Sequence, residues 1–187
     1  MPSSGLKLRK RINYLTYLAL LITFAVVIHT VEAALPLPMP VPGVRLGLAN
    51  IITILTLALF GLRSALLVTI LRTILGSLII GNIFGFGFWL SITAGITSSL
   101  SMALILILKE KGFVSLLSVS ITGAAVHNLT QLTMASVIIA SPDLIRGYYP
   151  LLILLSIPTG IFTGVAASYL EGVTARMIER AKIGVTK

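Results

Sequence analysis

Residues 12–34 read INYLTYLALLITFAVVIHTVEAA, an apolar run in which His29 and Glu32 arrive only near the end. Crossing the hydrocarbon core of a bilayer takes roughly 20 such residues as a helix, so this stretch is long enough to span. Before it stand Lys7, Arg9, Lys10 and Arg11; after it comes LPLPMPVPG, residues 35–43. Proline at every second position there forbids helix and favours an extended or polyproline segment. A basic start followed by an apolar run is also the outline of a signal peptide. The run is longer than a signal h-region and no A-x-A-like cleavage site closes it, so it reads as a first, retained helix.

The rest of the chain repeats the pattern. Apolar stretches cover about residues 46–60, 65–80, 86–108, 113–140 and 149–170. Gly61-Leu62-Arg63-Ser64, Gly81-Asn82-Ile83-Phe84-Gly85, Lys109-Glu110-Lys111-Gly112 and Ser141-Pro142-Asp143 separate them, and Pro158 is expected to kink the last. The expected fold is all-α, an integral membrane bundle of six transmembrane helices. A basic N-terminus (1–11) and a polar, basic tail (171–187) flank the helical domain (12–170). Composition agrees: 57% of the 187 residues are hydrophobic and 10% charged, where a water-facing surface requires roughly 25% charged.

Charge orients the bundle. Lys and Arg number 14 against 5 Asp and Glu, a balance that in a soluble chain would suggest nucleic acid. Here it follows membrane topology, and no nucleic-acid partner is expected. With the N-terminus inside, eleven basic residues fall in cytoplasmic segments: Lys7, Arg9, Lys10, Arg11, Arg63, Lys109, Lys111, Arg176, Arg180, Lys182 and Lys187. Arg45 and Arg146 alone fall outside, and Arg72 lies within a span. Such a positive-inside bias puts both termini in the cytoplasm.

Polar side chains inside a membrane are costly and therefore point to function. By helical rise, His29 and Glu32 sit near the outer surface and Arg45 and Asn50 begin the second span. Arg72 lies close to mid-membrane, and His127, Asn128 and Gln131 occupy the middle to outer part of the fifth. This is the composition of an outward-facing, ligand-binding pocket for a polar or anionic small molecule, with Arg72 attracting a carboxylate or phosphate. The bland alternative is mutual satisfaction: Arg72 paired with Glu32, Asn128 bonded to a neighbouring backbone. Small residues recurring every fourth position (Gly160, Gly164, Ser168, Gly172; Gly95, Ser99, Ala103) allow close helix approach, within the chain or against a partner subunit.

Catalysis finds little support. No two of the five acids pair inside the membrane, and there is no Walker A, HExxH or GxSxG pattern. Without cysteine, thiolate metal sites are excluded, and no metal, cofactor or catalytic residue is expected. Residues 120–125, SITGAA, share part of the pattern at which FMN is attached to some membrane electron carriers. The upstream Asp is missing and position 125 is Ala, so no covalent flavin is expected.

Taken together, residues 35–54 (LPLPMPVPGVRLGLANIITI), Gly61-Leu62-Arg63, Arg72 and Val126-His127-Asn128-Leu129-Thr130-Gln131-Leu132 resemble the Gx transporter family. That family is also labelled heptaprenyl diphosphate synthase component I. The resemblance covers about residues 12–170 and carries Arg45, Asn50, His127, Asn128 and Gln131 as motif positions. Its size and layout are similar to the substrate-binding S components of energy-coupling-factor (ECF) transporters. By implication the chain is an uptake subunit in a prokaryotic plasma membrane, beside a transmembrane coupling subunit and separate ATPases. The Ala-x-x-x-Ala signature of many S components is absent from the first helix, where Ala19 is followed by Thr23. The synthase label fits the residues poorly, since prenyl elongation uses clustered aspartates to hold magnesium and diphosphate and this chain has one aspartate. A non-catalytic role in a quinone- or flavin-linked electron-transfer or isoprenoid pathway is the alternative reading.

Overall fold

The computed structural model describes residues 4–35, 45–110 and 112–183. Among them are five helices and no strand: α1 (Ser4–Ala34), α2 (Asn50–Ile80), α3 (Phe86–Glu110), α4 (Leu116–Ile139) and α5 (Asp143–Ile183). The expected extended prolines, Pro36 to Pro42, lie outside the described residues.

Four helical stretches are long and apolar enough to cross a membrane: Lys7–Ala34, Asn50–Ile80, Phe86–Leu108 and Asp143–Thr174. Their outer faces match that environment. Leu20, Phe24 and Val27 of α1, Leu104 of α3 and Phe162 and Val165 of α5 are all exposed, a display that water-soluble monomers avoid. The chain is a multi-pass membrane protein. α4 lacks the same apolarity because it carries His127, Asn128 and Gln131, all buried.

α2 is not one rod. At about 1.5 Å rise per residue, positions 50 and 72 of a straight helix would lie about 33 Å apart. Instead Arg72 Nη2 donates to Asn50 Oδ1 at 2.9 Å, and the Thr53 and Thr69 hydroxyls meet at 3.3 Å. Both pairs are symmetric about Gly61, whose φ of 78° and ψ of 179° interrupt the helix. That backbone region is open essentially to glycine alone. The chain therefore folds back at Gly61 into two limbs, 50–60 and 62–80. The turn expected over Gly61–Ser64 is made by the glycine, and Leu62 to Ser64 are already helical.

The other boundaries have local causes. Gly81, at φ 75°, ends α2 with its N–H on the Leu78 carbonyl while Asn82 N–H reaches Ser77, a left-handed cap. Ser115 caps α4, accepting from the Ser118 N–H. α5 departs most from expectation. It begins at Asp143 rather than near Tyr149, holds Pro150 and Pro158 inside, and continues into the polar tail. Proline is tolerated in membrane helices where neighbours re-satisfy the backbone.

Glycines set the helix spacing. A side chain at Gly160 would strike the Ile121 backbone (2.6 Å from Cα) and one at Gly164 the Ser120 Cβ (2.9 Å), so α5 lies directly on α4. A side chain at Gly172 would meet nothing within 4 Å among the described residues. The Gly160–Gly164 part of that stripe is internal packing.

One direction along the bundle passes from polar to apolar in single-turn steps. Asn50 and Arg72 form one rung. Thr53, Thr69 and Ser99 form the next, with 3.3 and 3.2 Å between hydroxyls. Below them Leu18, Leu57, Ala65, Met102, Val119 and Ala167 close an apolar floor to which all five helices contribute. Further on, Tyr14 Oη meets Ser64 Oγ at 2.9 Å beside the Gly61 bend.

Candidate functional site

Above the hydroxyl rung, side chains from α1, α2, α4 and the segment entering α2 make one polar network. Glu32 of α1 points at the start of α2. Its two carboxylate oxygens accept the N–H groups of Gly47 (2.6 Å) and Leu48 (3.1 Å). Gly47 and Leu48 stand just before Ala49, the N-cap position of α2, so Glu32 ties α1 to the segment that enters α2.

Arg45, two residues before Gly47, reaches two helices at once. Its backbone N–H donates to Gln131 Oε1 at 2.9 Å, and its Nη1 donates to His29 Nε2. Burial lowers its pKa from the ordinary arginine value, and the Glu32 carboxylate works against that. A guanidinium only donates, so His29 Nε2 accepts and the ring there is neutral. The same logic fixes the other histidine. With Gln131 Oε1 occupied by Arg45, its Nε2 donates to His127 Nε2 at 2.8 Å, which leaves the His127 proton on Nδ1, a buried nitrogen with no acceptor among the described residues.

Arg72 is 3% exposed. One nitrogen donates to Asn50, and its Nε has no acceptor. The Arg72–Glu32 pair weighed on residue types is not how either charge is held: the carboxylate is taken by backbone amides, the guanidinium by an amide side chain. Glu32 attracts both guanidiniums across space. Two guanidinium charges therefore share one carboxylate, in a setting where a buried arginine costs about 2.5–3.5 kcal/mol on insertion scales.

The structure brings Glu32, Arg45, Asn50, Arg72, His127 and Gln131 together, with His29 joining them. Asn128 faces elsewhere: its Nδ2 donates to the Leu152 carbonyl of α5 at 3.1 Å, the backbone bond that the bland alternative described. Reasoning on polar residues missed the glycines that make room for these heads. Side chains at Gly47, Gly76 and Gly95 would meet, respectively, the His127 ring, the His29 ring and Arg72 Nη2 within 3.5 Å. Gly47 also holds φ at +81°, a conformation that other residues adopt at a cost. The signal available in the sequence was limited to Gly47, three residues before Asn50, and Gly76, four after Arg72. The lone aspartate, Asp143, lies exposed at the start of α5 with Arg146 at 3.6 Å.

No curated protein and no solved structure matches the chain. The model of one family, described as heptaprenyl diphosphate synthase component I, matches residues 21–170.

Proposed function

The chain belongs to the heptaprenyl diphosphate synthase component I family, and from that premise we propose that it is a membrane substrate-binding subunit which captures a small polar or anionic molecule from outside the cell. The observation that carries this reading is the uncompensated charge. Arg45 and Arg72 face a single carboxylate, and both oxygens of that carboxylate are already held by amides. A bundle needing only stability would replace Arg72 with leucine. A bundle that binds keeps a charge for its ligand to complete.

The proposed topology has six crossings, with the two limbs of α2 as the second and third and both termini cytoplasmic. The Gly61 bend supports it, since Arg63 is exposed there, at the end of the bundle where Tyr14 of α1 packs on Phe60. Exposed Phe84, Trp89 and Tyr149 gather toward the other end, as interfacial aromatics do. In this reading the chain is not an enzyme, and a separate coupling subunit with its own ATPases supplies energy. The family description favours a second role, a non-catalytic membrane component of a quinone- or isoprenoid-linked pathway.

Native mass spectrometry of the protein extracted in mild detergent separates the two. A polar, vitamin-like molecule released from wild-type protein and lost from Arg72→Gln is the expected result. A quinone or flavin in its place establishes the second role. Preparations carrying no small molecule, from cells whose uptake is unchanged by deleting the gene, overturn both.

A further inference from the structure

α3 carries six hydroxyl side chains between residues 91 and 101. Five of them return their proton to their own helix: Thr93 to Trp89, Thr97 to Thr93, Ser98 and Ser99 to Gly95, and Ser101 to Ser98. This is the ordinary fate of serine and threonine within a helix. Ser91 is the exception. It is 4% exposed and its Oγ has no hydrogen-bond partner.

Its neighbours on the same face explain what it looks at. Gly87 and Gly95 stand four residues to either side, about 6 Å along the axis in each direction. A side chain at Gly87 would lie 3.6 Å from Asn82 Nδ2 and 3.8 Å from Arg45 Nη2, and one at Gly95 would press on the Thr69 methyl at 2.6 Å with Arg72 Nη2 at 3.5 Å. The face of α3 centred on Ser91 therefore runs from one guanidinium to the other. Ser91 Oγ on this face and Arg72 Nε beside it are buried donors that lack acceptors among the described residues, as does His127 Nδ1 on α4. The fixed charges around it leave one positive charge in excess, because His29 and His127 are held neutral by the bonds they accept.

Donors without acceptors and a single surplus positive charge are complemented by an oxyanion bearing one negative charge. We propose that the Ser91 face of α3, where it runs between Arg45 and Arg72, seats a singly charged oxyanion group of the ligand, and that Ser91 donates a hydrogen bond to it. This rests on the binding-subunit reading and narrows its ligand class. A carboxylate or a phosphodiester fits, because a guanidinium fork matches both. A diphosphate overshoots the available charge.

The test uses the full-length protein in mild detergent with four probes at equal ionic strength. They are benzoate (a soluble monocarboxylate), benzyl alcohol (its neutral counterpart), short-chain phosphatidylglycerol (a lipid phosphodiester) and inorganic pyrophosphate. Wild-type protein should be stabilised against heat by benzoate or the phosphatidylglycerol, and not by benzyl alcohol or pyrophosphate. Ser91→Ala should bind the effective anion about tenfold more weakly, the scale of one hydrogen bond to a charged group. The same variant without ligand should melt no lower than wild type, because it loses a buried hydroxyl that had no acceptor. Arg72→Gln should abolish the response; if it does not fold, the Ser91 result decides alone.

The seat is overturned by unchanged affinity in Ser91→Ala, by a lower melting temperature for that variant without ligand, by pyrophosphate acting best, or by no response to either monoanion. Failure here is distinct from failure of the uptake reading. A neutral or cationic molecule co-purifying with the protein removes the anion seat and leaves uptake standing. A response to phosphatidylglycerol alone keeps the seat and assigns it to lipid rather than to cargo.

Discussion

Glu32 shows how residue type and residue role separate. On residue type it was a member of a ligand pocket or, in the bland alternative, a counter-ion for Arg72; in the fold it ties α1 to the segment entering α2, with both oxygens on backbone amides. Replacing it with Gln keeps one acceptor and turns an NH2 group toward an N–H, costing on the order of 2 kcal/mol. A fall in melting temperature of the detergent-solubilised protein is the expected reading. Arg72 and Asn50 touch at 2.9 Å, so a double-mutant cycle between them should give about 1–3 kcal/mol of coupling. The corresponding Arg72–Glu32 cycle should give less, and equal couplings would mean that the carboxylate is a direct partner after all. The ionisable members of the site were legible because charge inside an apolar run is conspicuous. Ser91 was not, because a serine in a membrane helix normally satisfies itself and nothing in the letters marks the one that does not.

At the scale of elements, glycine decides the geometry. The Gly61 bend was legible as a turn, since Gly-Leu-Arg-Ser interrupts two apolar runs; that one residue makes it was not. A side chain at Gly61 would meet nothing within 4 Å, so Gly61→Ala tests conformation without steric interference. It should cost about 1–3 kcal/mol through its positive φ and loosen the Asn50–Arg72 rung, read as earlier melting together with weaker ligand retention. Gly160→Val tests the opposite case, in which φ is ordinary and space is absent. Its branches would press on the Ile121 backbone, and a loss of monodisperse protein in detergent is expected, whereas Gly172→Val should behave as wild type. The start of α5 was misplaced because Ser141-Pro142-Asp143 read as a separator and the apolar run begins only near Tyr149. In the fold Pro142 precedes the helix and Pro150 is absorbed within it. The end was misplaced because polarity was taken to end the helix, while the backbone continues to Ile183.

For the whole molecule, the charge asymmetry makes orientation testable without disturbing the protein. The chain has no cysteine, so single cysteines report their own location. In intact cells, Asn82→Cys and Ser141→Cys should react with a membrane-impermeant maleimide, and Arg63→Cys should react only after the membrane is broken. Labelling of Arg63→Cys from outside would reverse the proposed topology. The succession of apolar runs made the bundle legible, whereas the network that joins α1, α2 and α4 depends on side-chain directions that no run of letters displays. Beneath that network lies the floor formed by Leu18, Leu57, Ala65, Met102, Val119 and Ala167. In electrical terms the molecule is a cup of polar groups mounted on an insulator. An ion that reached Arg72 would find hydrocarbon ahead of it, where no partner replaces its hydration. Reconstituted alone in a planar bilayer, the protein should therefore hold a voltage without passing current, with or without bound anion.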